Sequence, residues 1–351
     1  MSFTTGNKYK ITLFGTSHGD CIGCTIEGIP EGLEIDFEKI DTEMKRRKPQ
    51  GTLTTKRKET DNYDIISGVL DEICDGSPLT CVIPNTDAIF SDYNKDIPRP
   101  GHADYAANIK YNGYNDYRGG GFFSGRMTAP LVFAGAVAKQ ILEKKGIYVY
   151  SHILSVKDSK EASFSDLDCN TIINRLREIK TYPFPCLEKE KEFINIIKEN
   201  SPDSVGGVCE IMVLGVPVGV GEPFFDSIES TLSKLFFSVP GIKGVEFGDG
   251  FKITELTGSV ANDCPHYIKD EITFLSNHSG GINGGLANGM PIICRVAVRP
   301  TPSVSIEQET VDLEKGENTK ITVHGRHDRA IILRIAPVME AVTAMGILDL
   351  L

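Results

Sequence analysis

The alternation of apolar and polar side chains along the chain predicts both strands and helices. Residues 9–14 alternate and end at Gly15, and residues 21–27 are mostly apolar, so each segment predicts a β-strand. Residues 128–145 are rich in Ala and Leu, are apolar on most faces and end before Gly146, which predicts a buried helix. Further strands are predicted over 65–70, 79–83, 147–156, 205–213, 244–248 and 291–298, and further helices over 37–47 (N-cap Asp36), 103–111, 166–179, 187–199, 226–238 and 329–350, the last interrupted by Pro337.

These elements intermix without a steady βαβ rhythm. The order favours an α+β fold with antiparallel sheet over a doubly wound parallel sheet. No linker or low-complexity tract divides the sequence, so we expect a single domain over residues 1–351.

Composition and charge narrow the class of protein. The chain has 351 residues, 40% hydrophobic and 24% charged, with a net charge of −11, which argues against a broad nucleic-acid surface. No apolar run reaches the ~20 residues of a membrane span, and the start lacks a signal-peptide layout. The nine cysteines follow no framework spacing, so we expect reduced thiols and a cytoplasmic location. Cys21 and Cys24 lie in an apolar strand, which favours buried thiols over a redox or zinc site.

Two histidines lie in glycine-flanked turns, and an aspartate ends a third polar cluster. His18 lies in the segment 15–20 and His102 follows Arg99 in the segment 99–104. Histidine exchanges protons near neutral pH, and adjacent glycines let a ligand approach the backbone closely. Asp328 follows Gly-Arg-His. The alternative for His102 is a surface histidine near a helix start. The alternative for Asp328 is the N-cap of the last helix, although the neighbouring Arg326 and His327 favour a functional role.

Basic and glycine-rich segments predict an anion site. Residues 45–48 and 56–58 carry seven positive charges within 14 positions, which indicates either a solvated helix end or an anion site. The run from Gly119 to Arg126 precedes the long helix, where free backbone N–H groups can hold an anion. Ser124 and Arg126 add side-chain donors. Residues 276–281 suit either the edge of a flavin or a structural turn.

Taken together, these segments resemble the chorismate synthase family over nearly the whole chain. The resemblance rests on three motifs in the family's order, at 15–30, 121–128 and 325–341, with family-like segments at 99–105 and 276–285. It implies a β-α-β sandwich in which helices lie between antiparallel sheets, assembled as a homotetramer.

The resemblance also implies a reaction. The family converts 5-enolpyruvylshikimate-3-phosphate to chorismate by 1,4-anti elimination of phosphate, the last step of the shikimate pathway, which feeds aromatic amino-acid biosynthesis. Reduced FMN (FMNH2) is required although there is no net redox change. NADPH then takes part only indirectly, through an external flavin reductase, because no dinucleotide fingerprint follows a strand here.

Site roles follow from matching positions in the family. His18 is expected to face the reduced flavin, His102 to protonate or hydrogen-bond the departing phosphate, and Asp328 to relay a proton near flavin N5, while Ser17 and Ser124 support them. The residues expected to bind substrate are Arg47, Arg99, Arg126 and Arg334. Those expected to contact FMN are Phe122, Phe123, Ser124, Pro240, Gly241, Asn277, Gly284, Arg299, Pro300, Thr301, Pro302, Ser303 and Arg326.

The sequence departs from the family pattern at a few positions. Thr16 replaces an acidic residue or serine, an arginine usual near Leu53 is absent, and Phe122 replaces a basic or polar residue. The pair Arg329-Ala330 replaces a small or proline-containing pair. Lys56 or Arg57 can substitute for the absent arginine. Two other hypotheses remain open at this point: a flavin oxidoreductase with net hydride transfer, and a non-enzymatic anion-binding scaffold.

Overall fold

Two antiparallel sheets of five strands form the frame of the protein. The computed structural model describes residues 3–49, 54, 60–86, 93–167, 188–323 and 328–351. Its strands are β1 Thr4–Thr5, β2 Lys10–Gly15, β3 Cys21–Glu27, β4 Asp64–Ser67, β5 Val69–Leu70, β6 Ile73–Cys74, β7 Leu79–Pro84, β8 Tyr148–Val156, β9 Ser159–Lys160, β10 Gly207–Leu214, β11 Ile242–Phe247, β12 Pro265–Ile268, β13 Glu271–Phe274, β14 Ile282–Asn283, β15 Leu286–Ala287, β16 Ile292–Val298, β17 Gln308–Asp312 and β18 Glu317–Ile321.

The strand order differs between the two sheets, and every pairing within them is antiparallel. The first sheet has the order β1-β2-β3-β7-β4 and the second β11-β16-β10-β8-β9. In the second sheet, Glu210 of the central strand β10 is opposite His152 on β8 and opposite Arg295 on β16. The strands predicted at 9–14, 21–27, 79–83, 147–156, 205–213 and 291–298 are all present within one or two residues. The predicted strand over 65–70 is divided at Gly68, whose φ is 89°.

Helices lie between the two sheets. Helix α3 packs against β3 and β7 of the first sheet, helix α7 packs against β8 and β10 of the second, and the two helices pack against each other. This arrangement confirms the predicted α+β sandwich with helices between antiparallel sheets. The helices of the described residues are α1 Phe37–Arg47, α2 Asp104–Lys110, α3 Thr128–Glu143, α4 Glu190–Glu199, α5 Ile228–Ser238, α6 Gly258–Ala261 and α7 Ile332–Leu350. None of them is both long and apolar enough to cross a membrane.

Local sequence explains the ends of the first helices. The Asp36 side chain accepts a hydrogen bond from the Lys39 backbone N–H at 3.1 Å, so α1 begins where the N-cap predicted. Three basic residues in its last turn complement the helix dipole. All but two of the sixteen residues of α3 are buried, as its apolar faces predicted.

The last helix differs from its prediction. It begins at Ile332 rather than Arg329, and it runs without interruption through Pro337. Proline removes one helical hydrogen bond, but α7 is packed very closely against α3: a Cβ added to Gly135 would lie 2.2 Å from the Cβ of Ala341. This packing keeps the helix regular on both sides of the proline. The predicted helix over 166–179 lies almost entirely outside the described residues.

Candidate active site

A cavity of about 680 Å³ lies between loops that extend from the two sheets and the start of α7. Its volume lies within the range of small-molecule sites. Among the described lining residues, Asp328 is the one carboxylate. Six basic side chains line the cavity: Arg47, Arg99, Arg126, Lys243, Arg299 and Arg334. The cavity is therefore strongly electropositive in a protein whose net charge is −11.

His18 and His102 both line this cavity. His18 is buried, and its Nδ1 lies 3.1 Å from Ser17 Oγ. The Ser17 hydroxyl also lies 3.3 Å from the carbonyl oxygen of Gly119, which can only accept a hydrogen bond. The consistent arrangement is that His18 Nδ1–H donates to Ser17 and Ser17 donates to Gly119. Ser17 is fully buried and acts on the cavity through His18.

A run of three glycines passes against both imidazole rings. Gly119 and Gly120 have φ of 58° and 85°, a backbone conformation that residues with a side chain rarely adopt. A Cβ on Gly119 would lie 1.9 Å from His18 Cε1, and a Cβ on Gly120 would lie 2.7 Å from His102 Cε1. The predicted anion cradle before α3 is thus also the backbone against which the two histidines pack.

Asp104 holds His102 and Arg99 together, and sequence reasoning missed it. His102 Nδ1 lies 2.6 Å from Asp104 Oδ1, and Arg99 donates from Nε and Nη2 to the two carboxylate oxygens at 2.7 and 2.8 Å. Burial opposes ionisation of Asp104, but these hydrogen bonds outweigh it and hold its pKa well below the usual range. An ionised carboxylate only accepts, so Nδ1 carries the proton, and Nε2, which lies 3.4 Å from Arg99 Nη2, is the nitrogen left to exchange one. The spacing His-x-Asp was the available signal.

Arg47 and Arg126 share a second carboxylate that the sequence did not indicate. Asp61 Oδ2 accepts from Arg47 Nη2 at 2.5 Å, and Asp61 Oδ1 accepts from Arg126 Nη1. Burial raises the pKa of Asp61, but the two guanidiniums outweigh this effect and lower it. These three residues are far apart along the chain, so no local motif points to their contact.

Asp328 forms an ion pair at the start of α7. Its Oδ2 accepts from Arg334 Nη1 at 2.7 Å, and Arg334 Nε donates to the carbonyl oxygen of Arg47 at 3.0 Å. Ile331, not Asp328, occupies the N-cap position of α7, so the alternative interpretation of Asp328 as a helix cap is wrong.

Most of the other predicted site residues line the cavity, and the remainder lie elsewhere in the fold or outside the described residues. Ser124 caps a short helical turn by accepting from the Arg126 backbone N–H at 3.3 Å. Arg326 and the basic residues 56–58 lie outside the described residues. The predicted flavin contacts that line the cavity are Phe122, Phe123, Ser124, Pro240, Gly241, Arg299, Pro300, Thr301, Pro302 and Ser303.

Asn277 and Gly284 do not line this cavity. Asn277 Oδ1 accepts from the Gly281 backbone N–H at 2.6 Å, and Asn277 Nδ2 donates to the Pro291 carbonyl at 2.9 Å. Its amide is thus used to build a turn, which is the structural interpretation of residues 276–281. Gly284 lies in the turn between β14 and β15, with open space around its α-carbon.

Cations, two imidazoles and a carboxylate around one cavity define an enzyme that manages protons on a multiply charged anion.

Comparison with known proteins identifies the family. The family model for chorismate synthase matches residues 9–351. The chain is 41% identical to chorismate synthase of Dehalococcoides mccartyi over 100% of this chain and 96% of that protein. It is 42% identical to that of Pyrococcus abyssi over 98% and 96%. A crystal structure of chorismate synthase superimposes with a TM-score of 0.76 at 28% identity, covering 99% of this chain and 92% of that one. The chain belongs to the chorismate synthase family.

Proposed function

We propose that this protein is a carbon–oxygen lyase that converts 5-enolpyruvylshikimate-3-phosphate to chorismate by 1,4-anti elimination of phosphate. The observation that supports this most directly is the single cavity that joins His18, His102 and Asp328 to six basic side chains. The substrate carries a phosphate and two carboxylates, about four negative charges near neutral pH. An acidic protein requires such a concentrated set of cations to bind it.

Four arginines are assigned to the anionic groups of the substrate: Arg47, Arg99, Arg126 and Arg334. Each one is paired with an internal carboxylate, through Asp61, Asp104 or Asp328. The arginines are therefore oriented before the substrate arrives, which reduces the entropy lost when their donors grip phosphate or carboxylate.

His102 is assigned to the departing phosphate. Its Nδ1 proton is committed to Asp104, so Nε2 is the atom that gives or shares a proton with a phosphate oxygen. Arg99 shares Asp104 with His102, which places a guanidinium beside the imidazole. This pair neutralises charge on the phosphate as its bond to the ring breaks.

The residues of the cavity fit reduced FMN. Thr301 Oγ1 is buried and has no hydrogen-bond partner among the described residues, so a polar ligand atom is expected there. The loop 299–303 is tied to the other wall because Arg299 Nη1 donates to the Gly101 carbonyl at 2.8 Å. Phe122 and Phe123 add apolar surface suited to a planar ring. When bound, the reduced flavin supplies electron density that helps the phosphate leave and recovers it when the hydrogen departs.

His18 and Asp328 are assigned to proton control on the flavin side. Ser17 fixes the orientation of the His18 ring through the contact between its Oγ and His18 Nδ1 at 3.1 Å, and we assign the His18 ring to the flavin. Arg334 orients Asp328 by donating from Nη1 to its Oδ2 at 2.7 Å, and we assign this carboxylate to accept the ring proton and pass it on. Ser124 supports the contact between flavin and substrate at the start of α3.

The location, domain organisation and assembly of the enzyme are proposed as well. We place it in the cytoplasm, as a single domain over residues 1–351, with NADPH acting through a separate flavin reductase. We further propose a homotetramer. Large apolar side chains exposed on the surface support assembly: Phe224 and Phe225 are 86% and 89% exposed, and Tyr267 is 72% exposed. Sedimentation velocity tests the assembly.

The experiment that tests the function is anaerobic phosphate release with photoreduced FMN. The wild type is expected to release phosphate only when the flavin is reduced. His102→Ala, His18→Ala and Asp328→Ala are each expected to lower kcat by about 10²–10³-fold, as for loss of a positioned acid or base. Turnover with oxidised FMN under air, without reductant, contradicts the proposal.

A further inference from the structure

A buried carboxylate lies directly behind two arginines of the cavity. The Asp61 side chain is 0% exposed, and the side chains of Arg47 and Arg126 are 3% and 2% exposed. Both arginines line the cavity, whereas Asp61 does not. Asp61 therefore touches the arginines on the side away from a bound ligand.

The two guanidiniums are held at several points around this carboxylate. Arg126 Nε donates to Asn85 Oδ1 at 3.1 Å, and Arg126 Nη2 donates to the Pro84 carbonyl at 3.3 Å. Arg47 Nη1 donates to Thr128 Oγ1 at 3.3 Å, while its buried Nε has no hydrogen-bond partner among the described residues. Asp61 thus accepts from one nitrogen of each arginine, and the buried Nε of Arg47 is the nitrogen available to an anion.

Charge makes Asp61 necessary for this arrangement. Two buried guanidiniums side by side repel each other in a medium of low dielectric constant. Arg334 adds a third positive charge that acts on Arg47, and Asp328 offsets that third charge. With Asp61 ionised, the cluster of Arg47, Arg126 and Asp61 carries one net positive charge, whereas the two arginines alone carry two.

We propose that Asp61 is a positioning residue that sets the spacing of Arg47 and Arg126 and halves their charge, so that one anionic group of the substrate is held in register for elimination. This inference rests on the proposed function, since it takes Arg47 and Arg126 to bind that group. It predicts that Asp61 acts on turnover through geometry rather than on affinity alone.

The variant Asp61→Asn tests this directly. Asp61 has a φ of 50°, a left-handed conformation that Asn tolerates as well as Asp does, so the backbone is preserved. Removing the negative charge strengthens the attraction for the anion while the two guanidiniums lose their common acceptor. We expect 5-enolpyruvylshikimate-3-phosphate to bind as tightly as to wild type or more tightly, by calorimetry without flavin. We expect kcat with photoreduced FMN to fall at least tenfold. A fall of less than tenfold, or weaker binding of the substrate, overturns the proposal.

If circular dichroism shows that Asp61→Asn does not fold, Asp61→Glu is the variant that tests the positioning role. Asp61→Glu retains the charge but displaces the carboxylate by one methylene. It is expected to leave the dissociation constant for the substrate within threefold of wild type and to lower kcat at least fivefold. Wild-type kcat in a folded Asp61→Glu enzyme contradicts the positioning role.

A matched control separates positioning from general stability. Glu210 has a side chain that is also 0% exposed and pairs with His152 and Arg295 in the second sheet. Glu210→Gln is expected to lower the melting temperature yet leave kcat and substrate affinity within twofold. If the wild type itself releases no phosphate, the proposed function fails. If the wild type is active and Asp61→Asn is equally active, only the present inference fails.

Discussion

Three carboxylates at the cavity orient His102 and four of the arginines that line it. Asp104 takes the Nδ1 proton of His102, and Asp61 and Asp328 each accept from arginines that line the cavity. Two of these three carboxylates, Asp61 and Asp104, do not line the cavity themselves. Asp61 and Asp104 thus orient cavity residues without lining the cavity, whereas Asp328 both lines it and orients Arg334.

Replacing Asp104 is expected to slow the chemical step with little effect on substrate binding. Asp104→Asn removes the acceptor that fixes the His102 tautomer and loosens the Arg99 side chain. We expect kcat to fall about 100-fold and KM to change less than fivefold, measured by anaerobic phosphate release. Asp312→Asn is the control, because Asp312 caps the turn between β17 and β18. Equal kcat in wild type and Asp104→Asn contradicts the role.

At the scale of single residues, the sequence predicted the chemistry that lies on local motifs. His18 and His102 stand in short glycine turns, and both were found on the cavity. Asp61 was missed because its partners Arg47 and Arg126 are 14 and 65 positions away. Contacts of that kind depend on the tertiary fold rather than on spacing along the chain.

At the scale of elements, the glycine run before α3 sets the distance between the two histidines. Gly119→Ala and Gly120→Ala each drive a Cβ into an imidazole ring, at 1.9 Å from His18 and 2.7 Å from His102. We expect each variant to lower kcat by more than 100-fold, an order of magnitude typical for a misplaced proton donor.

The control for these variants is Gly316→Ala. Gly316 has a φ of 70° but open space around it, so the substitution adds the same backbone strain without touching a ring. It is expected to cost about 1 kcal/mol of stability and to leave kcat unchanged. Similar kcat losses in all three variants would show that backbone strain, not contact with the rings, is the cause.

A second feature at this scale is a buried ion network that joins four elements. Glu340 of α7 accepts from Arg46 of α1, from Lys139 of α3 and from Ser151 of β8. Burial raises the pKa of Glu340, but the charges of Arg46 and Lys139 outweigh it and hold this pKa well below its usual range. The network fixes the last turn of α1, in which Arg47, the residue after Arg46, lines the cavity.

The lowered pKa of Glu340 predicts how acid affects stability. The unfolded chain binds a proton at this glutamate near its ordinary pKa of about 4.3, whereas the folded chain binds it only at much lower pH. Stability from Glu340 is therefore present above about pH 5 and is lost as pH falls toward the folded pKa. Urea unfolding between pH 6 and 3 should show a steeper loss for wild type than for Glu340→Gln. Parallel curves would contradict this linkage.

Element boundaries were predicted where caps or breakers mark them. Asp36 fixed the start of α1 and Gly146 the region where α3 ends. The hairpins β12–β13 and β17–β18 were not predicted, because their strands are four or five residues long and largely exposed. Pro337 was expected to interrupt the last helix, but close packing of α7 on α3 outweighs the loss of one hydrogen bond.

At the scale of the whole molecule, the two sheets bring distant segments to one cavity. The walls come from the turn between β2 and β3, the glycine run before α3, the loop 299–303 and the start of α7. Periodicity in the sequence indicated the α+β class, whereas the sandwich order came from the family resemblance. The pairing of strands distant in sequence was not predicted, because local patterns carry no information about which strands meet.

The most direct test of the account is the electron balance of the reaction. One equivalent of photoreduced FMN is added to the enzyme and excess 5-enolpyruvylshikimate-3-phosphate without oxygen, and phosphate and flavin absorbance are followed together. The account predicts many equivalents of phosphate per flavin, with the flavin still reduced at the end. One equivalent of phosphate per flavin oxidised would contradict it, because that result requires net redox chemistry.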